Sequence, residues 1–397
     1  MNRRKLVWGL AIATLASGAA VRLSSDLLPQ KREEGRKSER RLQLAPPAER
    51  PPRLPPPVAG GAARSAVVLI GDGLGFAGIE AARLLGHGVG GYLTLDRLPV
   101  AGWSSTRSVD NLRTDSAAGA TALATGFKTQ NGRIGVDAEG RSLRNLVEAA
   151  RAAGKAVGLV TDSYLWDATP AGFAVHNPSR RNTLEIALAM ADQDIVFLAG
   201  CEAKKFAEDD ADDGPVLSHF RERGYTIGHD LAALETAAPG KWIGLFPSGS
   251  LTPQEGESQL PRLVALALAR LAQEEQGFLL LVETEETDNG GHANDLERVV
   301  RGVMALDEAL AQVLTLAEST GDTLVVWTAD HETGGLALLG GKVGEKLRHS
   351  WATDDHNAEP VPLLAYGPGA ERFAGTHDNT EVARELAKSL GVELGGG

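Results

Sequence analysis

The sequence predicts an α/β fold with a mainly parallel central β-sheet flanked by helices on both faces. Three observations predict it. Apolar runs of strand length recur along the chain: SAVVLIG, KAVGLVT, DIVFLAG, WIGLF, FLLLVE, TLVVWT and VPLLAYG. Parallel strands buried on both faces read as such unbroken runs. Helical patterns stand between them, near Ile79–Leu85 and in SLRNLVEAARAAG, LPRLVALALARLAQEEQG and LERVVRGVMALDEALAQVLTLAES. Several strands also end abruptly in Asp, Glu or His, and α/β proteins build their sites beyond the carboxyl ends of their strands.

Before the first strand the composition is different. MNRRK is a basic start, and LVWGLAIATLASGAAV is an apolar run with small residues at Ser17 to Ala20. A spanning helix needs roughly 20 residues, so this shorter run predicts an export signal or a short N-terminal anchor over 1–21. The folded part is then expected to be exported, periplasmic or extracellular, and tethered to a membrane only where this segment serves as an anchor and not as a signal. Residues 22–64 are rich in Arg, Glu and Pro (APPAERPPRLPPP) and read as a solvated linker. No Pro/Gly-rich break follows, so 65–397 reads as one domain.

Charge narrows the partners. The chain carries −12, yet residues 1–64 hold thirteen Lys and Arg against five Asp and Glu. The folded part is therefore more acidic than the whole, which excludes nucleic acid as a partner of its general surface. An anionic substrate would need local positive charge, from metals or a placed arginine. Cys201 stands alone in the sequence, so there is no intrachain disulfide and no thiolate metal site. Any metal must be held by Asp, Glu and His.

Those residues stand at strand ends. SAVVLIG ends in Asp72, flanked by glycines that let backbone approach a ligand closely. KAVGLVT leads to Asp167 and Thr169 in DATPAG. FLLLVETEETDNGGH supplies Glu283, Asp288 and His292, and TLVVWTADHET supplies Asp330 and His331. DIVFLAG ends at Gly200 with no ligand, so the pattern is not true of every strand. Asp288 and His292 are four apart, and on a helical turn they share one face. Oxygen and imidazole ligands of this kind suit Zn²⁺ and Mg²⁺, at more than one site. In RTDSAAGATALATG a polar start precedes small helix formers, which puts Ser116 at or near a helix N-terminus. Asp115-Ser116 could simply cap that helix. Alternatively Ser116 is a nucleophile activated by metal, on a terminus that favours negative oxygen.

Together GDGLG, TDSAAGATALATG with KTQNGRIGVD, DATPAGFAVH, VETEETDNGGH, TADHETGG and DDHNAEPVPLLAYG resemble the alkaline phosphatases. The matches run in order over residues 66–380, nearly all of the folded chain. The resemblance implies an alkaline-phosphatase-like sheet and hydrolysis of small phosphomonoesters through a phosphoserine, favoured at alkaline pH. It implies two zinc ions and one magnesium, with Ser116 as nucleophile. One zinc would take Asp288, His292 and His356, and the other Asp72, Asp330 and His331. Magnesium would take Asp72, Thr169 and Glu283, with Asp167 acting through its water. Arg180, in HNPSRRN, falls where an arginine clamps two phosphoryl oxygens, in company with Asp115 and Ser116 in the substrate pocket. Relatives are often homodimers.

The chain departs from that pattern at Asn289, where bacterial members carry lysine and animal members histidine. A phosphodiesterase would use similar metals, but Arg180 suits a terminal phosphoryl group. A sulfatase would need a Cys/Ser-x-Pro-x-Arg setting, which Ser-Ala-Ala-Gly is not. A non-catalytic, metal-stabilised surface protein would not need a complete nucleophile, ligand set and arginine. The remaining histidines, His87, His176, His219, His229, His349 and His377, read as surface or structural.

Overall fold

The structure, a computed structural model, describes residues 36–46, 50–56, 60–202, 214–236, 239–252 and 257–395. The expected export signal, 1–21, lies outside them. Among the described residues no helix is long and apolar enough to cross a membrane.

In chain order the first strands are β1 (Arg36–Arg41), β2 (Ser65–Gly71), β3 (Val100–Ser105), β4 (Ala156–Tyr164), β5 (Phe197–Cys201), β6 (Tyr225–Gly228) and β7 (Lys241–Phe246). There follow β8 (Phe278–Thr284), β9 (Thr323–Thr328), β10 (Glu332–Thr333), β11 (Leu336–Gly340) and β12 (Lys346–Trp351). The last are β13 (His356–Asn357), β14 (Val361–Tyr366) and β15 (Gly375–Asp378). The main sheet has the order β15-β3-β14-β9-β2-β8-β4-β5-β7-β6. It is parallel throughout except for β14, which runs antiparallel to both β3 and β9. The reversal has a simple cause. After β9 the chain stays at the carboxyl end of the sheet, where β10 pairs with β13, so β14 starts from that end.

The central strands β2, β8 and β9 are buried along their whole length, as their unbroken apolar runs require. Their side chains alternate between two cores. Val68, Ile70, Leu279, Leu281 and Val326 face one, packed with the helices Ser116–Thr125, Ala168–Ala174 and Asn379–Leu390. Val67, Leu69, Leu280, Val282 and Trp327 face the other, under Leu260–Leu271 and the long helix Leu296–Thr320. The α/β architecture with helices on both faces is thus observed.

The linker expectation needs correction over part of its length. Strand β1 lies beside β12 in a small three-stranded sheet, and Leu42 and Leu54 are buried in the second core. The Leu42 N–H donates to Glu345 O at 2.8 Å and that of Leu54 to Arg97 O at 2.9 Å. Two leucines spaced among arginines and prolines make no periodic signal. Charged side chains on an edge strand point to water while its backbone pairs.

Candidate active site

The site lies beyond the carboxyl ends of β2, β8, β9 and β4. Strand β2 delivers Asp72, whose N–H donates to Thr284 O at 3.0 Å. Strand β8 carries Glu283 as its penultimate residue, and the helix Glu286–Ala293 presents Asp288 and His292 one turn apart, as the spacing predicts. Strand β9 leads to Asp330 and His331, both fully buried. His356 arrives on β13, whose register pairs Thr333 with His356.

Two groups of ligand atoms result, each with all its atoms within 4.8 Å of one another: Asp288 with His292 and His356, and Asp72 with Asp330 and His331. In the first, His292 Nε2 and His356 Nε2 lie 3.4 and 3.5 Å from Asp288 oxygens and 3.1 Å from each other. Their other ring nitrogens meet carbonyl oxygens, Nδ1 of His292 at Asp354 O (2.7 Å) and Nδ1 of His356 at Thr114 O (2.9 Å). A carbonyl only accepts, so each Nδ1 carries the proton and each Nε2 offers a lone pair, the arrangement of metal-binding imidazoles. Thr333 Oγ1 donates to Asp288 and meets His331 Nδ1 at 3.2 Å, which turns His331 Nε2 inward in the same way.

In the second group His331 Nε2 stands 3.4 Å from Asp72 Oδ1 and 3.2 Å from Asp330 Oδ2. Both carboxylate oxygens are buried and accept no hydrogen bond. Burial, then His356 and Arg180, holds the His331 ring well below its ordinary pKa, so it is neutral. Burial and neighbouring carboxylates push Asp72 well up and Asp330 to about 7. Orphaned acceptors, a neutral imidazole and mutually repelling carboxylates are what a bound dication would resolve. The oxygen and nitrogen donors fit Zn²⁺.

A third, all-oxygen corner joins Asp72, Thr169 and Glu283. Burial, with Asp167 and Asp162 nearby, raises the Glu283 carboxyl to about 8. The Thr169 hydroxyl is buried against the Glu283 carboxylate, and its oxygen accepts no hydrogen bond. Hard oxygen donors of this kind fit Mg²⁺.

Ser116 opens the helix Ser116–Thr125, and Asp115 caps it, Oδ1 accepting from Ala118 N at 3.0 Å. Capping and a reactive position are therefore compatible. The Ser116 hydroxyl lies 3.2 Å from His331 Nε2, against the second ligand group. Arg180 sits across from it, with Nη2 donating to Asp167 Oδ1 at 2.9 Å and Nη1 to Asp115 Oδ2 at 3.4 Å. The predicted site residues thus gather in one place.

Reading of the sequence missed Thr333, Asp162 and Glu285. Thr333 aims two ligands, and Asp162 accepts from Thr284 Oγ1 at 2.6 Å and from Glu285 N at 2.9 Å, fixing the turn out of β8. The strand-end rule that found Asp72 could have singled out Asp162 in KAVGLVTDS. Cys201 is a packed, buried residue as expected, with burial raising its thiol to about 11.

The alkaline phosphatase family model matches residues 63–347. The chain belongs to the alkaline phosphatase family. It is similar to alkaline phosphatase 4 of Bacillus subtilis, 30% identical, over 82% of this chain and 88% of that one. Streptomycin-6-phosphate phosphatase of Streptomyces griseus is 33% identical, over 83% and 91%. Among solved structures, a variant of TAB5 alkaline phosphatase with Mg bound superposes with a TM-score of 0.75 and 28% identity, covering 84% of this chain and 99% of that one. The protein is a phosphatase, a hydrolase of phosphomonoesters, in a metal-dependent family.

Proposed function

We propose that this phosphatase works by double displacement through a phosphoserine at Ser116, assisted by two Zn²⁺ and one Mg²⁺ and favoured at alkaline pH. The observation that carries this is the Ser116 hydroxyl 3.2 Å from His331 Nε2, at a helix N-terminus and beside a group of bare ligand atoms. Asp288, His292 and His356 would hold one zinc, and Asp72, Asp330 and His331 the other. Asp72, Thr169 and Glu283 would hold magnesium. When bound, paired divalent cations would stabilise charge on the entering and leaving oxygens and ease loss of a proton from the entering one.

The chain's own groups do the rest. Ser116 Oγ forms the bond to phosphorus as the bond to the substrate alcohol breaks. The free N–H groups of the first helical turn face the phosphoryl oxygens and favour their charge. The Arg180 guanidinium presents two donors to two of those oxygens, and Asp115 and Asp167 fix its orientation. Water then attacks phosphorus, the bond to Ser116 Oγ breaks, and the serine hydroxyl is restored. Alkaline preference follows if an entering hydroxyl must lose its proton. The basic and apolar segment 1–21 supports export, so the reaction would take place outside the cytoplasm.

Acid quenching during turnover of a phosphomonoester, followed by peptide mass spectrometry, tests the intermediate. One phosphoryl group on the Ser116 peptide is expected. Steady turnover of Ser116→Ala, or a phosphoryl group trapped elsewhere, would overturn the reading.

A further inference from the structure

Beside the third ligand corner stands a carboxylate without an assigned role, Glu285. It follows Glu283 by two residues and leaves β8 on a turn that Asp162 locks through two hydrogen bonds. Ser163 Oγ donates to its carboxylate, Asn289 Nδ2 donates at 3.3 Å, and it lies against the Asp167 carboxyl. These groups line a cavity of about 300 Å³ together with Glu286. The cations there are already engaged. Arg298 binds both oxygens of Glu286 at 2.6 and 3.0 Å, and Arg180 binds Asp167. Thr169 Oγ1, buried against the Glu283 carboxylate and accepting from no donor, belongs to the same corner and offers its lone pairs there.

Magnesium sheds its water reluctantly, and keeps several molecules when only one or two carboxylates bind it. Those waters need acceptors. Asp167 and Glu285 are carboxylates that line the cavity, and both lie close enough to Glu283 for their charges to act on one another. We propose that Glu285 is a positioning residue of the magnesium site, accepting hydrogen bonds from the ion's water shell beside Asp167 and thereby setting the affinity for Mg²⁺. The inference rests on the three-metal reading above. Partners of this outer kind are worth about 10- to 100-fold in metal affinity.

The test uses the full chain, stripped by chelator, reloaded with Zn²⁺ and titrated with Mg²⁺ by calorimetry. Circular dichroism and zinc content are measured on each variant. Glu285→Gln is expected to raise the Mg²⁺ dissociation constant by about 10- to 100-fold with zinc content unchanged. Glu283→Gln, which removes the charge of a direct ligand, is expected to abolish the Mg²⁺ isotherm. Parent-like binding by Glu285→Gln beside a lost isotherm in Glu283→Gln overturns the role of Glu285 alone. Parent-like binding by both overturns the three-metal reading and the inference with it. If the glutamine chain does not fold, Glu285→Ala, at the wall of an existing cavity, is read in the same way.

Discussion

The hydroxyl of Ser116 and Nε2 of His331 lie 3.2 Å apart, although 215 positions separate them in the chain. His331 is neutral, and its Nδ1 side is turned to Thr333, so Nε2 meets the serine with a lone pair. The same nitrogen faces unsatisfied oxygens of Asp72 and Asp330. Two elements bring this about, a helix that begins at residue 116 and a turn that leaves β9.

Arg180 is half-buried and oriented by two carboxylates, so its loss removes two charge-assisted bonds to a phosphoryl group. Each such bond contributes about 1.5–3 kcal/mol, so the pair contributes about 3–6 kcal/mol, on the order of 10²- to 10⁴-fold. Arg180→Ala is expected to lower kcat/KM by about that factor and to weaken inhibition by inorganic phosphate. Unchanged phosphate inhibition would exclude the clamp.

Gly73 holds a left-handed backbone (φ 67) against the first ligand group. A Cβ there would fall 2.7 Å from both Asp288 Oδ1 and Thr333 Oγ1. Gly73→Ala is therefore expected to loosen zinc at Asp288, His292 and His356 and to destabilise the chain, since left-handed backbone alone costs a β-carbon about 1–2 kcal/mol. Zinc retention under a chelator gradient checks it. Parent-like retention would contradict the close approach.

Asn289 donates its amide to Glu285, so no cation stands at this position beside Asp167. Asn289→Lys would add positive charge near the phosphoryl pocket. Tighter inhibition by inorganic phosphate and slower product release are expected, read as a lower inhibition constant and a lower kcat. Equal phosphate inhibition in parent and variant would refute this.

The metal-free protein should respond to pH in an unusual direction. Burial raises Asp162 and Asp330 to about 7 and Glu283 to about 8, against about 4 for such groups in an unfolded chain. The folded chain thus keeps protons that the unfolded chain has released, and stability falls as pH rises from about 4 to about 8. The chelated protein is expected to show a falling Tm from pH 5 to 8. Zn²⁺ and Mg²⁺ should reverse the trend, because they bind the folded state in its ionised form. A Tm that rises through this window without metal would contradict the buried, charge-crowded site.

Legibility in the sequence followed from the range of each interaction. Asp72, Glu283 and Asp330 were readable because wholly buried parallel strands make unbroken apolar runs that end where ligands begin. Asp288 and His292 were readable from helical spacing. Asp162, Glu285 and Thr333 were not singled out. Asp162 meets partners 122 and 123 positions away, and no local period marks such a pair. The reversal of β14 was equally hidden, since an apolar run reads the same in either direction. Leu42 and Leu54 anchor a segment whose charges and prolines look like linker.

Side-by-side hydrolysis of a phosphomonoester and a phosphodiester by the full chain, with Zn²⁺ and Mg²⁺ supplied and Ser116→Ala as control, tests the central claim most directly. Monoester hydrolysis that rises into alkaline pH and vanishes in the variant is the predicted result. Preference for the diester, or activity that survives Ser116→Ala, would contradict it.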